Sequence, residues 1–247
     1  MPVQFEFAGK VVLITGGTRG LGRAMAQGFA QAGADLIVAS RKAEACEATA
    51  AELRGLGRRA VGIPCHVGDW EQVNRLAQQA WDAFGRVAVL INNAGMSPLA
   101  PSSVETSEEL FDKIVAVNFK GAFRLTALIG SRMAAGGGGS IINISSTGAL
   151  NPPALVGPYA GAKAALNACS ISFAKEFGPK VRVNVITPGS FATDIADAWD
   201  NPEKITGRIA LKRLGEPYEI VSTALYLAGD SASYTTGANI RVDGCSF

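Results

Sequence analysis

A doubly wound α/β sheet, parallel throughout and covered by helices on both faces, is the fold class this chain predicts, and three observations predict it. Seven short apolar runs alternate with longer amphipathic segments along the 247 residues. The runs are apolar on both faces, as in VVLIT, LIVAS and VAVLIN, which is the composition of strands that helices cover on each side. Between the first run and the helix after it stands a glycine-rich crossing, TGGTRGLG, at Thr15 to Gly22.

The elements follow in order. After VVLIT (11–15) comes an alanine-rich helix from Leu21 to about Gln31, then LIVAS (36–40) and a polar helix over about 43–55. AVGIPCHV (60–67) reads as the third strand, 70–84 as a helix, and VAVLINNAG (87–95) as the fourth strand with its outgoing loop. A long helical region spans about 107–135, and the four glycines at 136–139 read as a flexible turn without chemistry before SIINIS (140–145). A helix from about Pro158 through Phe177, the strand VRVNVIT (181–187), a last helix from about Pro217 to Ala228 and NIRVDG (239–244) complete seven strands. A chain of this size suits one domain over 1–247, since doubly wound folds often reach this length undivided.

Composition excludes several functions. A net charge of +2, with no lysine or arginine run, argues against a nucleic-acid binder. The N-terminal MPVQFEFAGK lacks a signal-peptide core, and no run approaches the roughly 18 apolar residues of a membrane span, so a cytoplasmic protein is expected. Cys46, Cys65, Cys169 and Cys245 are scattered, which suits reduced thiols. Cys65 and His66 are adjacent, but neighbours on a strand point to opposite faces, and a single histidine makes a zinc site unsupported. No metal is expected, and a Ser-His-Asp mechanism would require His66 as its base.

The chemistry concentrates between Ile142 and Lys163, INISSTGALNPPALVGPYAGAK. Tyr159 and Lys163 are four residues apart on a helix and share a face. A free phenol has a pKa of about 10; an ammonium roughly 5 Å away at an effective dielectric of about 20 favours the phenolate by roughly 3 kcal/mol, lowering that value by about 2. The expectation is a Tyr159 tuned by Lys163 for general acid–base work. Ser146, after the buried run Ser140 to Ser145, stands where its hydroxyl could hold a substrate oxygen. A lone Tyr-x-x-x-Lys pair occurs by chance in many helices, so the rest of the chain decides.

At the first crossing, glycine lets the backbone turn and approach a pyrophosphate, while the following helix N-terminus supplies free N–H groups and a positive dipole end. The spacing is Gly-x-x-x-Gly-x-Gly, and no Gly-Lys-Ser/Thr ending supports a nucleoside triphosphate loop. An acid at the end of the second strand would bond the adenosine ribose, and a basic residue would tolerate a 2′-phosphate. Asp35 stands at the wrong end of LIVAS and reads as a surface cap, whereas Ser40 and Arg41 stand at the right end with Arg19 nearby. This favours NADP(H), with NAD(H) retained as the other cofactor. Asn93, Ala94 and Gly95 end the fourth strand on the ligand side, and small residues there allow a ribose to approach. Asn118 falls inside the long helix and reads either as a kink holding a water or as an ordinary polar contact.

In order, TGGTRGLG, NNAG, the asparagine of VNFKG, ISS, YAGAK, ITPGSFAT, RLGEPYEIVSTALYLAGD and VDG resemble the short-chain dehydrogenase/reductase family over about residues 8–244. The resemblance implies a Rossmann-type fold and hydride exchange between nicotinamide C4 and a carbonyl or secondary alcohol carbon. It implies that Tyr159 is the general acid or base, that Lys163 lowers its pKa and holds the nicotinamide ribose, that Ser146 binds the substrate oxygen, and that Asn118 positions a relay water. Gly16, Thr18, Arg19, Gly20, Leu21 and Gly22 would line the cofactor phosphates; Pro188, Gly189, Phe191 and Thr193 would fix the carboxamide. Two departures stand out. Where the family's third strand ends in Asp-Val, whose carboxylate meets the adenine amine, this chain has His66 and Val67, and Cys245 replaces a glycine after VDG. The resemblance still places His66 and Val67 at the cofactor: a neutral imidazole could stack on or hydrogen-bond the adenine, with altered affinity and no loss of binding.

The resemblance also places substrate selection in the loop at about 190–211, where Phe191, Ile195, Trp199 and Ile205 read equally as an apolar lid or as packing. Leu150, Pro152, Pro153 and Leu155 would add an apolar wall near Ser146. A ketone or 3-oxoacyl thioester fits, as do a quinone, a sugar lactol or a steroid. The family implies a homo-oligomer, tetramer or dimer, built on the long helix and the tyrosine helix. The competing class is a catalytically idle dinucleotide-binding regulator or redox sensor, which would tolerate loss of the tyrosine or serine; both are present. An epimerase or dehydratase would need a longer C-terminal substrate domain.

Overall fold

The computed structural model describes residues 5–194 and 202–246. Strands β1 (Val11–Thr15), β2 (Asp35–Ser40), β3 (Ala60–Pro64), β4 (Val89–Asn92), β5 (Gly139–Ile144), β6 (Val181–Pro188) and β7 (Asn239–Val242) form one parallel sheet in the order β3-β2-β1-β4-β5-β6-β7.

The two-faced apolarity of the strands has a direct structural reason. Successive side chains alternate between faces, so Val12, Ile14, Leu36 and Val38 enter one core, while Val11, Leu13, Ile37 and Ala39 enter the other. Helices α1 (Gly20–Gln31), α2 (Ala43–Gly55) and α8 (Val221–Ala228) close the first core with Met25, Phe29, Leu53 and Leu227. Helices α3 (Trp70–Phe84), α5 (Gly121–Ala135) and α6 (Gly157–Phe177) close the second with Leu76, Leu125, Ile129 and Phe173. Each fully buried Leu, Ile or Phe contributes about 1.5–3 kcal/mol over its exposed state.

Strand order reverses beside β1: β2 lies on one side and β4 on the other. Thr15 and Asn92 are register partners at the carboxyl ends of these neighbours. A crevice at such a reversal is where open α/β sheets bind ligands.

Several expectations change in detail. The third strand stops at Pro64, so Cys65, His66 and Val67 lie in the turn before α3 rather than on a strand. The long helix begins as α4 (Glu108–Val115) and passes through one π-helical stretch, Ala116–Lys120, before α5. The glycine turn is a packed one. Gly138 has φ +81°, and a Cβ there would lie 2.5 Å from the Lys180 carbonyl oxygen. The helical stretch Glu108–Ala135, at 28 residues, is long and apolar enough to cross a membrane by length and composition, contrary to the expectation that no run approaches this. Its Leu125, Ile129 and Met133 are buried in the core of this chain.

Within the expected substrate loop, α7 (Pro202–Thr206) is followed by a buried Ile209, while Ile195 and Trp199 lie outside the described residues.

Candidate active site

The glycine turn and the NNAG loop hold one another at the β1–β4 crevice. The Thr15 hydroxyl accepts from the Asn93 and Ala94 N–H groups at 3.1 and 3.2 Å. The Asn93 amide donates back to the Thr15 and Gly16 carbonyls at 3.0 and 3.1 Å. Gly16 has φ +65°, and a Cβ on Gly22 would lie 2.2 Å from the Gly16 oxygen, so the turn closes only with glycine at both positions. No side chain caps the N-terminus of α1, and its first turn carries no acid. Its free N–H groups face a concave backbone, a fit for a dinucleotide's pyrophosphate.

Proton-transfer candidates gather one strand over. Ser146 follows β5, and its Oγ accepts from the Gly148 N–H at 3.1 Å, leaving the hydroxyl proton to be donated elsewhere. Its neighbour Ser145 is buried with no partner for its Oγ among the described residues. A Cβ on Gly148 would sit 3.4 Å from Ser146 Oγ and 3.8 Å from Tyr159 Cε1, which places the serine beside the phenol ring. Burial pushes the Tyr159 phenol above its ordinary value, and Ser146 partly offsets this by hydrogen bonding to it. This reverses the expectation that Lys163 would lower it. The Lys163 ammonium donates to the Ile144 carbonyl at 2.7 Å, and burial brings its own pKa down to about 8.

Asn118 is buried at the π-helical stretch and fully engaged. Its amide donates to the Met96 and Ile114 carbonyls at 2.7 and 2.9 Å, and its oxygen accepts from the Met96 N–H at 3.2 Å. Bonded to both Met96 groups, the side chain fixes the chain just after NNAG. A Cβ on Gly95 would lie 2.9 Å from Asn118 Oδ1 and 3.5 Å from Lys163 Nζ, so the space over Gly95 opens onto both groups. This is the second backbone cradle, and it lies on the Lys163 side of the crevice.

At the outer end of β2, Ser40 is half-buried and Arg41 is exposed, while Asp35 at the opposite end accepts from the Arg59 N–H at 3.0 Å. Arg19 does not point freely toward that corner. Its guanidinium pairs with Asp194 at 2.5 Å, and a Cβ on Gly20 would contact Thr193 at 3.5 Å, so the segment after β6 lies against the glycine turn. Of that segment, the Phe191 side chain is buried in the first core against Gly215. Pro188 and Gly189 are anchored by the Gly189 N–H to Val242 carbonyl bond at 3.0 Å and by packing against Asp243.

A model for the short chain dehydrogenase family matches residues 10–204. The chain is a short-chain dehydrogenase/reductase. It is 38% identical over 242 residues to dehydrogenase/reductase SDR family member 4 of Bos taurus, covering 96% of this chain and 87% of that protein. It is 35% identical over 250 residues to D-threitol dehydrogenase of Mycolicibacterium smegmatis, covering 99% and 96%. The solved structure of a short-chain type dehydrogenase/reductase from Mycobacterium marinum is similar, with a TM-score of 0.93 at 32% identity over 98% of this chain and 97% of that one.

As a short-chain dehydrogenase/reductase, the chain is an oxidoreductase of alcohols and carbonyl compounds that uses a nicotinamide dinucleotide. The structure adds residues that sequence reasoning missed. A shallow pocket beside Tyr159 is walled by Pro98, Leu110, Ile114, Leu155 and Val156. Of the four wall residues expected from sequence, Leu155 is the one that lines it, and Leu155 holds φ +68°, a left-handed conformation that costs a leucine on the order of 1–3 kcal/mol. The contributors from 98–114 carried no local signal, because only the fold brings the segment after β4 to α6. A buried amide ladder was also unforeseen. Asn92 donates to Thr126 and Asn143, and Asn143 to Ser170, at 2.8–2.9 Å, tying α5 and α6 to the strand ends that carry the site.

Proposed function

We propose that this chain is an NADP(H)-preferring reductase of ketones, with the reverse oxidation of secondary alcohols, and that Ser146, Tyr159, Lys163 and Asn118 carry the proton chemistry. The observation that carries this reading is the Ser146–Tyr159 pair, its tyrosine on the helix whose Lys163, with Asn118, borders Gly95 in the loop that Asn93 ties to the glycine turn.

A nicotinamide dinucleotide bound in the crevice supplies or accepts the hydride. The chain's own residues handle everything else. The Ser146 hydroxyl, its oxygen held by the Gly148 N–H, donates to the substrate oxygen and stabilises the charge that develops there. Tyr159, held protonated by burial, gives its proton to that oxygen during reduction and receives one during oxidation. Lys163, with a pKa near 8, exchanges protons near neutrality and can return one toward the phenol. The complete set supports turnover over an idle dinucleotide-binding regulator.

Ser40 and Arg41 at the end of β2, with no carboxylate there, support NADP(H); NAD(H) remains the alternative cofactor. The pyrophosphate would lie on Gly16, Thr18, Gly20, Leu21 and Gly22, the ribose groups near Asn93, Ala94 and Gly95, and the carboxamide along Pro188, Gly189 and Thr193. The wall of Pro98, Leu110 and Leu155 supports an apolar ketone or 3-oxoacyl thioester. The relative named for D-threitol brings a polyol into the comparison. Free thiols at all four cysteines suit a reducing cytoplasm. Exposed Phe111 on α4 and Ile171 on α6 suit a homodimer or homotetramer through those helices.

A screen of ketones, 3-oxoacyl thioesters, quinones, sugars, steroids and polyols, followed by absorbance of NADPH and NADH, tests the reading. Turnover of a carbonyl compound with NADPH preferred is the expected result; turnover with no member of the panel by either dinucleotide counts against it.

A further inference from the structure

His66 lies one residue beyond Cys65, whose N–H donates to the Ser40 carbonyl at 2.8 Å, so its backbone stands at the strand ends, and its ring lies over Gly68 near Val117. This is the β1–β3 half of the crevice, where the nucleoside of a dinucleotide lies. The turn around His66 uses up nearly all of its polar groups. Its backbone N–H donates to Gln72 Oε1 at 2.9 Å, and its carbonyl accepts from the Asp69 N–H at 2.9 Å. Its Nδ1 accepts from the Gly68 N–H at 3.2 Å. The ring is seated on Gly68, where a Cβ would come within 2.8 Å of Cε1 and 3.1 Å of Nδ1.

An Nδ1 that accepts a hydrogen bond carries no proton, so the ring's proton is on Nε2. No partner for Nε2 is found among the described residues, which leaves its N–H able to donate to a ligand. A carboxylate in the same place would offer only acceptors. The two differ in what they accept on a purine. A 6-amino group needs an acceptor, whereas a 6-oxo group is itself an acceptor and pairs with an N–H donor.

We propose that His66 sets the purine preference of the dinucleotide site, removing discrimination in favour of a 6-amino purine and admitting a 6-oxo purine, hypoxanthine, on at least equal terms. The inference rests on the dinucleotide reading of the crevice and adds to it a specificity-determining residue. Gly68, as the floor under the ring, and its N–H, as the group that fixes the tautomer, are part of the same device.

The test is direct binding, read from the fluorescence of the reduced nicotinamide ring, which is the same in NADPH and in its hypoxanthine counterpart. For the unaltered protein the two dissociation constants are expected to agree within about 3-fold or to favour hypoxanthine. In His66→Asp, whose carboxylate can still accept from the Gly68 N–H, adenine is expected to be favoured by about 10-fold or more, because a carboxylate faces the 6-oxo group lone pair to lone pair. His66→Phe, which keeps a ring over Gly68 without the N–H, is expected to lose affinity for hypoxanthine more than for adenine. Should His66→Asp bind neither compound, the His66→Phe ratio decides. A preference for adenine of about 10-fold or more in the unaltered protein overturns the inference, as does a ratio that neither variant changes. If the unaltered protein binds neither dinucleotide, the reading of the crevice fails with it; binding with the wrong ratio overturns the role of His66 alone.

Discussion

Lys163 stands one helical turn beyond Tyr159 on α6, yet its ammonium is turned to the Ile144 carbonyl at 2.7 Å, and the phenol is governed by burial and Ser146. Both groups are held toward their neutral forms, since burial disfavours phenolate and ammonium alike. A phenol so placed is better prepared to give a proton than to take one. Alcohol oxidation, which needs the phenolate, is therefore expected to gain from rising pH over the alkaline range, while carbonyl reduction does not. Opposed pH profiles of kcat/KM for the two directions would bear this out.

Lys163 makes a separate prediction about stability. Its pKa of about 8 in the folded chain lies below the ordinary lysine value of 10.5, so the unfolded chain binds more protons between those two values. Stability attributable to this residue is lowest below pH 8, rises through the window and is complete above the ordinary value, by about 3 kcal/mol at 1.36 kcal/mol per pH unit. Denaturant unfolding of the wild type and Lys163→Met at pH 7.5 and pH 10 measures it. The wild type is expected to gain relative to the variant as the pH rises, and a difference independent of pH would show that the ammonium is not desolvated.

Tyr159→Phe keeps the ring between Ser146 and the pocket wall but removes its proton. Dinucleotide binding, measured by fluorescence, is expected to be unchanged, while turnover falls by about 100-fold or more, the scale of a positioned acid–base group. Near-normal turnover would remove Tyr159 from the chemistry.

The corner formed by Ser40 and Arg41 is tested by reversing a charge. Arg41→Asp is expected to weaken NADPH far more than NADH, because a carboxylate repels a 2′-phosphate and accepts from ribose hydroxyls. Asp194→Asn releases Arg19 from an exposed ion pair worth at most about 1 kcal/mol, so its expected effect on folding stability is small. A tighter NADPH dissociation constant in that variant would show that Asp194 competes with the phosphate for Arg19.

What the sequence made legible was whatever is written locally. Runs apolar on both faces marked the strands, and the four-residue spacing of Tyr159 and Lys163 put them on one helix face. The third strand was extended too far because Cys65 and Val67 continue its apolar character; the chain instead turns to let Asp69 cap α3 through the Gln72 N–H. The direction of the Lys163 ammonium was hidden because its acceptor lies 19 residues away on β5. The Arg19–Asp194 pair joins positions 175 apart and has no local signature at all. Phe191 was assigned to the cofactor from its motif, and only the packing of Gly215 against its ring shows its side chain to be core.

Asn118 supplies the last prediction, because its geometry separates a positioning role from mere packing. It is buried and bonds both the N–H and the carbonyl of Met96 as well as the Ile114 carbonyl. Asn118→Ala leaves those three backbone groups without their partner, at about 1–3 kcal/mol for a buried unsatisfied group. It also frees the segment after NNAG, which borders the space over Gly95 and the Lys163 ammonium. The expected result is a lower unfolding midpoint together with a fall in kcat that persists at temperatures where the variant is fully folded. Asn118→Asp, which keeps an acceptor for the Met96 N–H but loses the amide donor, should recover little, since two of the three bonds are donated by the amide. If kcat in the folded Ala variant matches the wild type, Asn118 serves the fold alone and the path behind Lys163 runs without it.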